Sequence, residues 1–361
     1  MNSAHGLYIH IPFCKQKCPY CDFYSSEKNL SEIDEYASAA VRQIKNEDKK
    51  WDSVFFGGGT PSLLNENQFQ RLFNAFKNNL EKGAEITAEL NPKDISPYYA
   101  KALYEMGINR ISLGVQSLND ETLKFLGRRH TAEEAIKAVE SIKEAGFDNI
   151  SVDFMLGIPH QSDKDILNEI AFLKEYDIPH VSAYILKVEK GTPFFKNGVA
   201  KMLDEDDVAD KYLLFGEKAE SIGIMQYEIS NFAKLGMESR HNLKYWRSEP
   251  YIGIGPAAHS QSDGKRFYIK PSLKDYIEKI NNGISPYSGH IKSGEYKEYA
   301  MLKLRLSEGL DLKTAGKNAE EIRKKAERFL SLDLIEINGD ILKLTRKGFL
   351  LSNTIISSLF F

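Results

Sequence analysis

Short apolar segments alternate with longer amphipathic ones through the first two thirds of the chain. The pattern predicts strands at Leu7–Ile11, Ser53–Phe56, Glu85–Leu90, Arg110–Val115, Asn149–Met155 and His180–Leu186, with a seventh at Gln226–Ile229. Helical periodicity fills the intervals at Ser31–Asp48, Asn65–Leu80, Pro97–Met106, Thr131–Ala145, Asp163–Tyr176 and Glu205–Ser221. Strand–helix alternation implies a parallel sheet with helical crossovers. About six such units predict an α/β fold: a partial (β/α) barrel of the TIM type.

Side chains alternate across a strand, so each strand has two faces. Leu7, Ile9 and Ile11 oppose Tyr8 and His10. Ile86, Ala88 and Leu90 oppose Thr87 and Glu89, and Ile111, Leu113 and Val115 oppose Ser112, Gly114 and Gln116. Val152 and Phe154 oppose Ser151 and Asp153, and Val181, Ala183 and Ile185 oppose Ser182 and Tyr184. An ordinary eightfold barrel fills its interior with bulky branched side chains. Here the second face is small or polar, which predicts a roomy lumen for a polar ligand. Glu89, Gln116 and Asp153 stand toward the C-terminal strand ends, the end where barrel enzymes carry their chemistry. Taken singly, each also reads as a helix cap or an ion-pair partner.

From about Ser272 the rhythm stops. Tyr299–Leu306 and Ala319–Leu330 read as helices, and Leu334–Thr345 as a hairpin turning at Asn338–Gly339. Helices followed by a hairpin predict a small winged-helix-like α+β domain. The expected division is a barrel over 1–240, a connecting region over 241–290 and this domain over 291–361. The helix KNAEEIRKKAERF mixes both signs, as a solvated face does, so no nucleic-acid partner is expected. The apolar tail NTIISSLFF reads as a segment that docks on the body or touches a membrane partner.

Composition is that of an ordinary globular protein, 42% hydrophobic and 27% charged. The net charge of −3 gives no overall pull toward nucleic acid. The start MNSAHGLYIHIPF lacks a basic region followed by a long apolar run, and no run approaches the roughly 20 apolar residues of a membrane span. With oxidisable thiols, these features predict a cytoplasmic protein.

All three cysteines, Cys14, Cys18 and Cys21, fall within eight residues as C-x3-C-x2-C. Three is odd and the spacing is short, which disfavours disulfides. A zinc site of Cys3His type would recruit His10 or His5, although zinc cysteines usually come as separated C-x2-C pairs. An iron–sulfur cubane held on three irons would leave its fourth iron open. Plain buried thiols are the bland alternative. Downstream, Gly57–Ser62 reads GGGTPS, a loop whose glycines let backbone N–H groups approach a ligand. No G-K-[ST] follows, so it is not a nucleotide-binding P-loop.

The cysteine run, GGGTPS, AELNP, GVQS and VDFMLGIP, in this order, resemble the radical S-adenosylmethionine (SAM) superfamily. More narrowly, they resemble the oxygen-independent coproporphyrinogen III oxidase family. The resemblance covers nearly the whole chain. It implies a 4Fe–4S cluster on Cys14, Cys18 and Cys21 with SAM on the open iron. It further implies SAM contacts from Tyr8, Gly58, Gly59, Thr60, Glu89, Gln116, Arg128 and Asp153. An electron donor such as flavodoxin is implied as well.

Two features choose a branch. Decarboxylating oxidases resembling this chain usually carry another cysteine two residues past the third, where this chain has Phe23. His241–Trp246 reads HNLKYW, similar to the haem chaperone (HemW-type) branch. That branch implies haem binding and transfer to an acceptor, with a membrane-associated respiratory protein as one candidate. His241, Tyr245 and Trp246 are then expected as haem contacts, and His259 of YIGIGPAAHS as a second candidate. On residue chemistry alone, the same patch reads as packing between domains. Decarboxylation of coproporphyrinogen III is the rival function, and a zinc-dependent nucleic-acid module is a third. A monomer or weak dimer is expected.

Overall fold

The computed structural model describes residues 4–361. Twelve strands form one sheet: β1 (His5–Ile11), β2 (Trp51–Gly58), β3 (Leu80–Leu90), β4 (Arg110–Gln116), β5 (Ile150–Leu156), β6 (His180–Ile185), β7 (Met225–Gln226), β8 (Asn231–Ala233), β9 (Tyr251–Ile254), β10 (His259–Ser262), β11 (Lys265–Ile269) and β12 (Tyr287–Lys292). Their order is β12-β11-β10-β9-β1-β2-β3-β4-β5-β6-β8-β7. β1 to β6 pair in parallel, each with its successor, and helices run between them.

The alternation of faces explains this layering. Leu7, Ile9, Val54, Phe56, Ala88, Ile111, Leu113, Val152, Phe154, Val181 and Ala183 are all fully buried in one core, on the side that the helices cover. The alternate residues point the other way. Phe55 of β2, Glu89 of β3, Ser112 of β4, Asp153 of β5 and Ser182 of β6 line a single cavity, so the sheet curls around it. This is the partial barrel that the pattern predicts. Crossover helices start where side chains satisfy their free N–H groups: Asn65 with Gln68, Thr131 with Glu134 and Ser162 with Asp165 form reciprocal caps.

The structure departs from the sequence pattern at both sheet edges. In place of a strand at Gln226–Ile229, the short β7 and β8 make an antiparallel edge on β6. Glu228 lies between them and bridges to Leu306 instead. YIGIGPAAHS, outside the predicted strands, contains β9, which pairs in parallel with β1, and the start of β10. The barrel sheet therefore runs on through the expected connecting region.

The C-terminal segment forms a separate three-stranded sheet, β13 (Leu310–Asp311), β14 (Ile335–Asn338) and β15 (Ile341–Leu344), beside the helix Ala319–Leu330. Asn338 pairs with Ile341, so the hairpin loop is Gly339–Asp340, one residue beyond the predicted turn. Gly339 takes φ +62°, which glycine permits without strain. The tail helix Ser352–Phe360 buries Ile355, Ile356, Leu359 and Phe360 against the helix Ala319–Leu330. Among the described residues no helix is long and apolar enough to cross a membrane.

Candidate cofactor site

The cysteine loop leaves the C-terminal end of β1 and is tied at its base. Cys14 donates its N–H to Ser26 O at 3.1 Å, and Ser26 donates to Pro12 O at 2.9 Å. Cys21 N–H donates to Cys18 O at 3.1 Å, a turn that brings those two residues onto one side. All three cysteines line the barrel cavity, whose volume is about 480 Å³.

The glycine loop lies alongside. Gly59 N–H donates to Ile11 O at 2.8 Å, and a Cβ on Gly59 would stand 2.5 Å from Phe13 O. Gly58 has φ +110°, and a Cβ there would strike the His10 ring at 2.6 Å. Glycine is required at both positions for the loop to pack against the cysteine segment. Thr60 Oγ1 donates to Cys14 Sγ at 3.4 Å.

The rim carboxylates are deep and close to one another. Glu89 accepts the N–H of Gly58 at 3.2 Å. Burial, reinforced by the charge of Asp153, pushes its carboxyl up to about 8. Asp153 accepts from Ser112 Oγ at 3.2 Å, and burial raises its carboxyl too. Gln116 takes φ +70° at the irregular end of the β4–β5 pairing, and its amide oxygen accepts from Tyr184 at 2.5 Å. Arg128 donates to Gly114 O at 2.7 Å and to Cys18 Sγ at 3.5 Å, while its Nε has no partner. Gly58, Gly59, Thr60, Glu89, Gln116, Arg128 and Asp153, each expected from sequence, all line the cavity with the three thiols.

Tyr8 is the exception. It is not part of the cavity lining; its hydroxyl lies 3.0 Å from His10 Nδ1. His10 Nε2–H donates to Tyr24 O at 2.8 Å, which leaves Nδ1 as the acceptor for Tyr8. Burial pushes His10 down to about 4, so this neutral form is the one present. His10 is thereby committed away from the thiols, and His5, at the far end of β1, meets Ser262 at 3.2 Å. Neither imidazole is placed as the fourth ligand of a zinc site. Among the described residues no three His, Cys, Asp or Glu side chains are arranged to hold a single metal ion.

The donor set does fit a cubane with SAM. A cubane spreads its thiolates over separate irons, unlike a single zinc. Burial pushes the Cys21 thiol up to about 11, so metal charge is what would stabilise three thiolates here. The cavity offers two buried carboxyls and a guanidinium to a ligand bearing an ammonium, a sulfonium and a carboxylate.

The HNLKYW motif lies elsewhere, on the helix Arg240–Arg247, which closes the N-terminal end of the barrel. Glu85 of β3 accepts the N–H groups of Arg240 and His241 at 3.1 and 3.0 Å. Lys244, with 5% of its side chain exposed, pairs with Asp52 at 2.7 Å. His241 is fully buried: Nδ1 meets Ser53 Oγ at 2.9 Å, Nε2 meets Tyr245 Oη at 2.8 Å, and the ring stacks on Phe55. Burial pushes it down to about 3. An axial ligand needs a free nitrogen at an accessible surface, so this placement argues against the expected iron contact. Trp246 lies toward the C-terminal segment with the Arg305 guanidinium over its ring. His259 is exposed, its ring tilted beside that of Tyr268.

Arg110 and Asn242 are among the cavity residues that escape the sequence reading. Arg110, 1% exposed at the start of β4, has an unpartnered Nε, and its charge pulls down both Glu89 and Asp153. Asn242, next to His241, is the motif residue that reaches the cavity. Arg110 shares its face with Ser112 and Gly114, so strand alternation could have found it. Nothing local marks Asn242.

A family model described as the radical SAM superfamily matches residues 8–173, and one described as the HemN C-terminal domain matches 295–351. The chain is 35% identical to "Heme chaperone HemW" of Bacillus subtilis, covering 98% of both. It is 32% identical to the protein of that name in Mycobacterium tuberculosis, covering 98% of this chain and 94% of the relative. It is 38% identical to that of Escherichia coli over 71% and 70%. The coproporphyrinogen III oxidase HemN of Escherichia coli, described as a radical SAM enzyme, superposes with a TM-score of 0.81 over 99% of this chain and 90% of its own. At 19% identity that likeness is one of fold.

Proposed function

Because the chain belongs to the radical SAM superfamily, and within it to the family of HemW-type haem chaperones, we propose that it binds haem and hands it to an acceptor protein. Full-length similarity to proteins of that name carries this reading. Superfamily membership implies a 4Fe–4S cluster and SAM. Cys14, Cys18 and Cys21 would hold the cluster. Gly58, Gly59, Thr60, Glu89, Gln116, Arg128 and Asp153 would hold SAM, with Tyr8 behind them setting His10.

When bound, such a cluster with SAM supplies reductive C–S cleavage chemistry. The chain's own contribution is placement. With its carboxyl pushed up to about 8 by burial, Glu89 holds its proton near neutral pH until a cationic ligand faces it, and then gains its charge. Arg128 is anchored on Gly114 and can pair with a carboxylate. The helix Arg240–Arg247 lies against Phe55 and brings Asn242 to the buried end of the cavity.

Phe23 supports the chaperone over the oxidase. It stands 64% exposed at the cavity mouth, in the position where a further cysteine is expected of a decarboxylating enzyme. The acceptor fits a haem-requiring respiratory protein at a membrane, the electron donor a flavodoxin, and the working state a monomer or weak dimer.

One experiment separates the readings. The anaerobically reconstituted chain is assayed for haem transfer to a haem-free acceptor and for conversion of coproporphyrinogen III to protoporphyrinogen. Transfer without conversion is expected; conversion at an enzymatic rate overturns the chaperone reading.

A further inference from the structure

Three separate segments line the cofactor cavity beyond the strand ends: the cysteine loop, the glycine loop and Arg128 with Arg129. One carboxylate outside that lining is bonded to all three. Asp94 ends the short turn Pro92–Asp94, which follows β3. Its Oδ1 accepts from Lys15 Nζ at 3.2 Å. Its Oδ2 accepts from Arg129 Nη2 at 2.8 Å and from Ser62 Oγ at 3.3 Å. Lys15 directly follows Cys14, Ser62 ends GGGTPS, and Arg129 directly follows Arg128.

The turn that carries Asp94 is itself held on both sides. Asn91 donates its N–H to Ser62 Oγ at 3.0 Å, and its side chain accepts the N–H of Lys93 at 3.1 Å. Lys93 pairs with Glu134, which caps the helix Ala132–Glu144 together with Thr131. That helix starts just after Arg129 and His130. Asp94 therefore stands on a braced element, and the two loops hang from it.

Burial gives the pairing its weight. Only 4% of the Asp94 side chain is exposed, against 18% for Arg129 and 53% for Lys15. Removing one partner of a buried pair is costly, whereas an exposed pair is worth little. Arg129 is thus the main partner. Neither cation has another ion pair among the described residues. The strands below need no such tie, because Ile9, Phe56, Ala88 and Leu113 are fully buried in the core. Loss of the carboxylate charge would leave the barrel and free the loops.

We propose that Asp94 is a positioning residue for the cofactor site: it fixes Cys14, the glycine loop and Arg128 relative to one another. The inference rests on the SAM reading of this cavity and adds a residue that lies outside its lining. SAM must meet the open iron and the Arg128 guanidinium together, so its affinity depends on how those loops are placed.

The test uses the full chain, reconstituted anaerobically, with SAM affinity measured by equilibrium dialysis. The electron paramagnetic resonance spectrum of the reduced cluster is recorded with and without SAM, because ligation of the open iron alters it. Asp94→Asn keeps the shape and the Ser62 contact but removes the charge. It is expected to keep its iron, to bind SAM about 10-fold more weakly and to show a changed spectrum with saturating SAM. Arg129→Met is expected to do the same, and adding it to Asp94→Asn should cost nothing further, since the two act through one pair. Lys15→Met should stay within roughly threefold of the unaltered chain. If Asp94→Asn lowers only the melting temperature, with SAM affinity and spectrum unaltered, Asp94 is a fold staple and the proposal is overturned. Fully additive losses in the double variant would overturn it as well. Should Asp94→Asn not fold, unaltered SAM affinity in Arg129→Met is the overturning result. If the unaltered chain itself shows no SAM-dependent change, the SAM reading falls and this one with it.

Discussion

The hydroxyl of Tyr245 lies 2.8 Å from Nε2 of His241, one helical turn away. The tyrosine of the HNLKYW motif thus closes the histidine that opens it. With Ser53 Oγ on Nδ1, both ring nitrogens are spent inside the barrel floor. The motif's conspicuous residues hold the plug helix on the strand ends, and Asn242 between them meets the cavity.

His241→Ala should therefore be a folding lesion. It leaves two hydroxyls unpaired and a gap under Phe55, a cost of about 3 kcal/mol. Tyr245→Phe removes one hydrogen bond, at about 1 kcal/mol. Urea unfolding of the cofactor-free chain measures both. Unchanged stability in His241→Ala, together with lost haem binding, would return the histidine to the role of iron ligand.

Gly59→Ala tests the contact between the two loops. The added methyl would stand 2.5 Å from Phe13 O, one residue before Cys14. The glycine loop or the cysteine loop must move. Iron retained after anaerobic reconstitution and desalting should fall several-fold while the far-ultraviolet circular dichroism stays the same. Full iron content would show that the cysteine loop tolerates the shift.

The legible part of this molecule is what short-range pattern controls. Leu7, Ile9 and Ile11 announce one face of β1, and the same alternation in β3 to β5 foretells Glu89, Gln116 and Asp153 in one cavity. His241 shows the limit. Its motif can be recognised, but its environment is set by Ser53, 188 residues earlier, and by Glu85, and no local period encodes those contacts. The same holds for β9, whose YIGI is short and glycine-broken and becomes a strand because β1 offers it a free edge. Tyr8 was legible as an inward residue, but the His10 ring that captures its hydroxyl was not.

Stability of the cofactor-free chain should be lost toward alkaline pH through its buried carboxyls and toward acid pH through its buried histidines. Glu89 is pushed up to about 8 from an ordinary 4.5, chiefly by burial. The folded state then holds its proton more tightly than the unfolded one, and stability is lost as pH rises from 4.5 through 8. Glu228, pushed up to about 7 by burial, acts in the same sense. His10 is pushed down to about 4 from 6.5 by burial, so its contribution is lost as pH falls through that window. Glu89→Gln should raise stability at pH 8 by about 2 kcal/mol and leave the acid limb in place. Thermal melts between pH 5 and 9 measure this; an unchanged alkaline limb would mean that Glu89 is ionised in the cofactor-free chain.

Arg128 spans two elements of the proposed SAM site, donating one Nη to Gly114 O and the other toward Cys18 Sγ. Its orphaned Nε leaves donor capacity for an incoming carboxylate. A lysine keeps the charge, but its single ammonium cannot hold Gly114 and a carboxylate in the same fork geometry. Losing one charge-assisted hydrogen bond corresponds to about 1.5–3 kcal/mol. Arg128→Lys should therefore bind SAM at least about 10-fold more weakly in equilibrium dialysis, at 1.4 kcal/mol per tenfold. Because the thiols keep their backbone ties, iron content should match that of the unaltered chain. Equal SAM affinity in the two proteins would remove the carboxylate role and leave Arg128 as a brace between β4 and the cysteine loop.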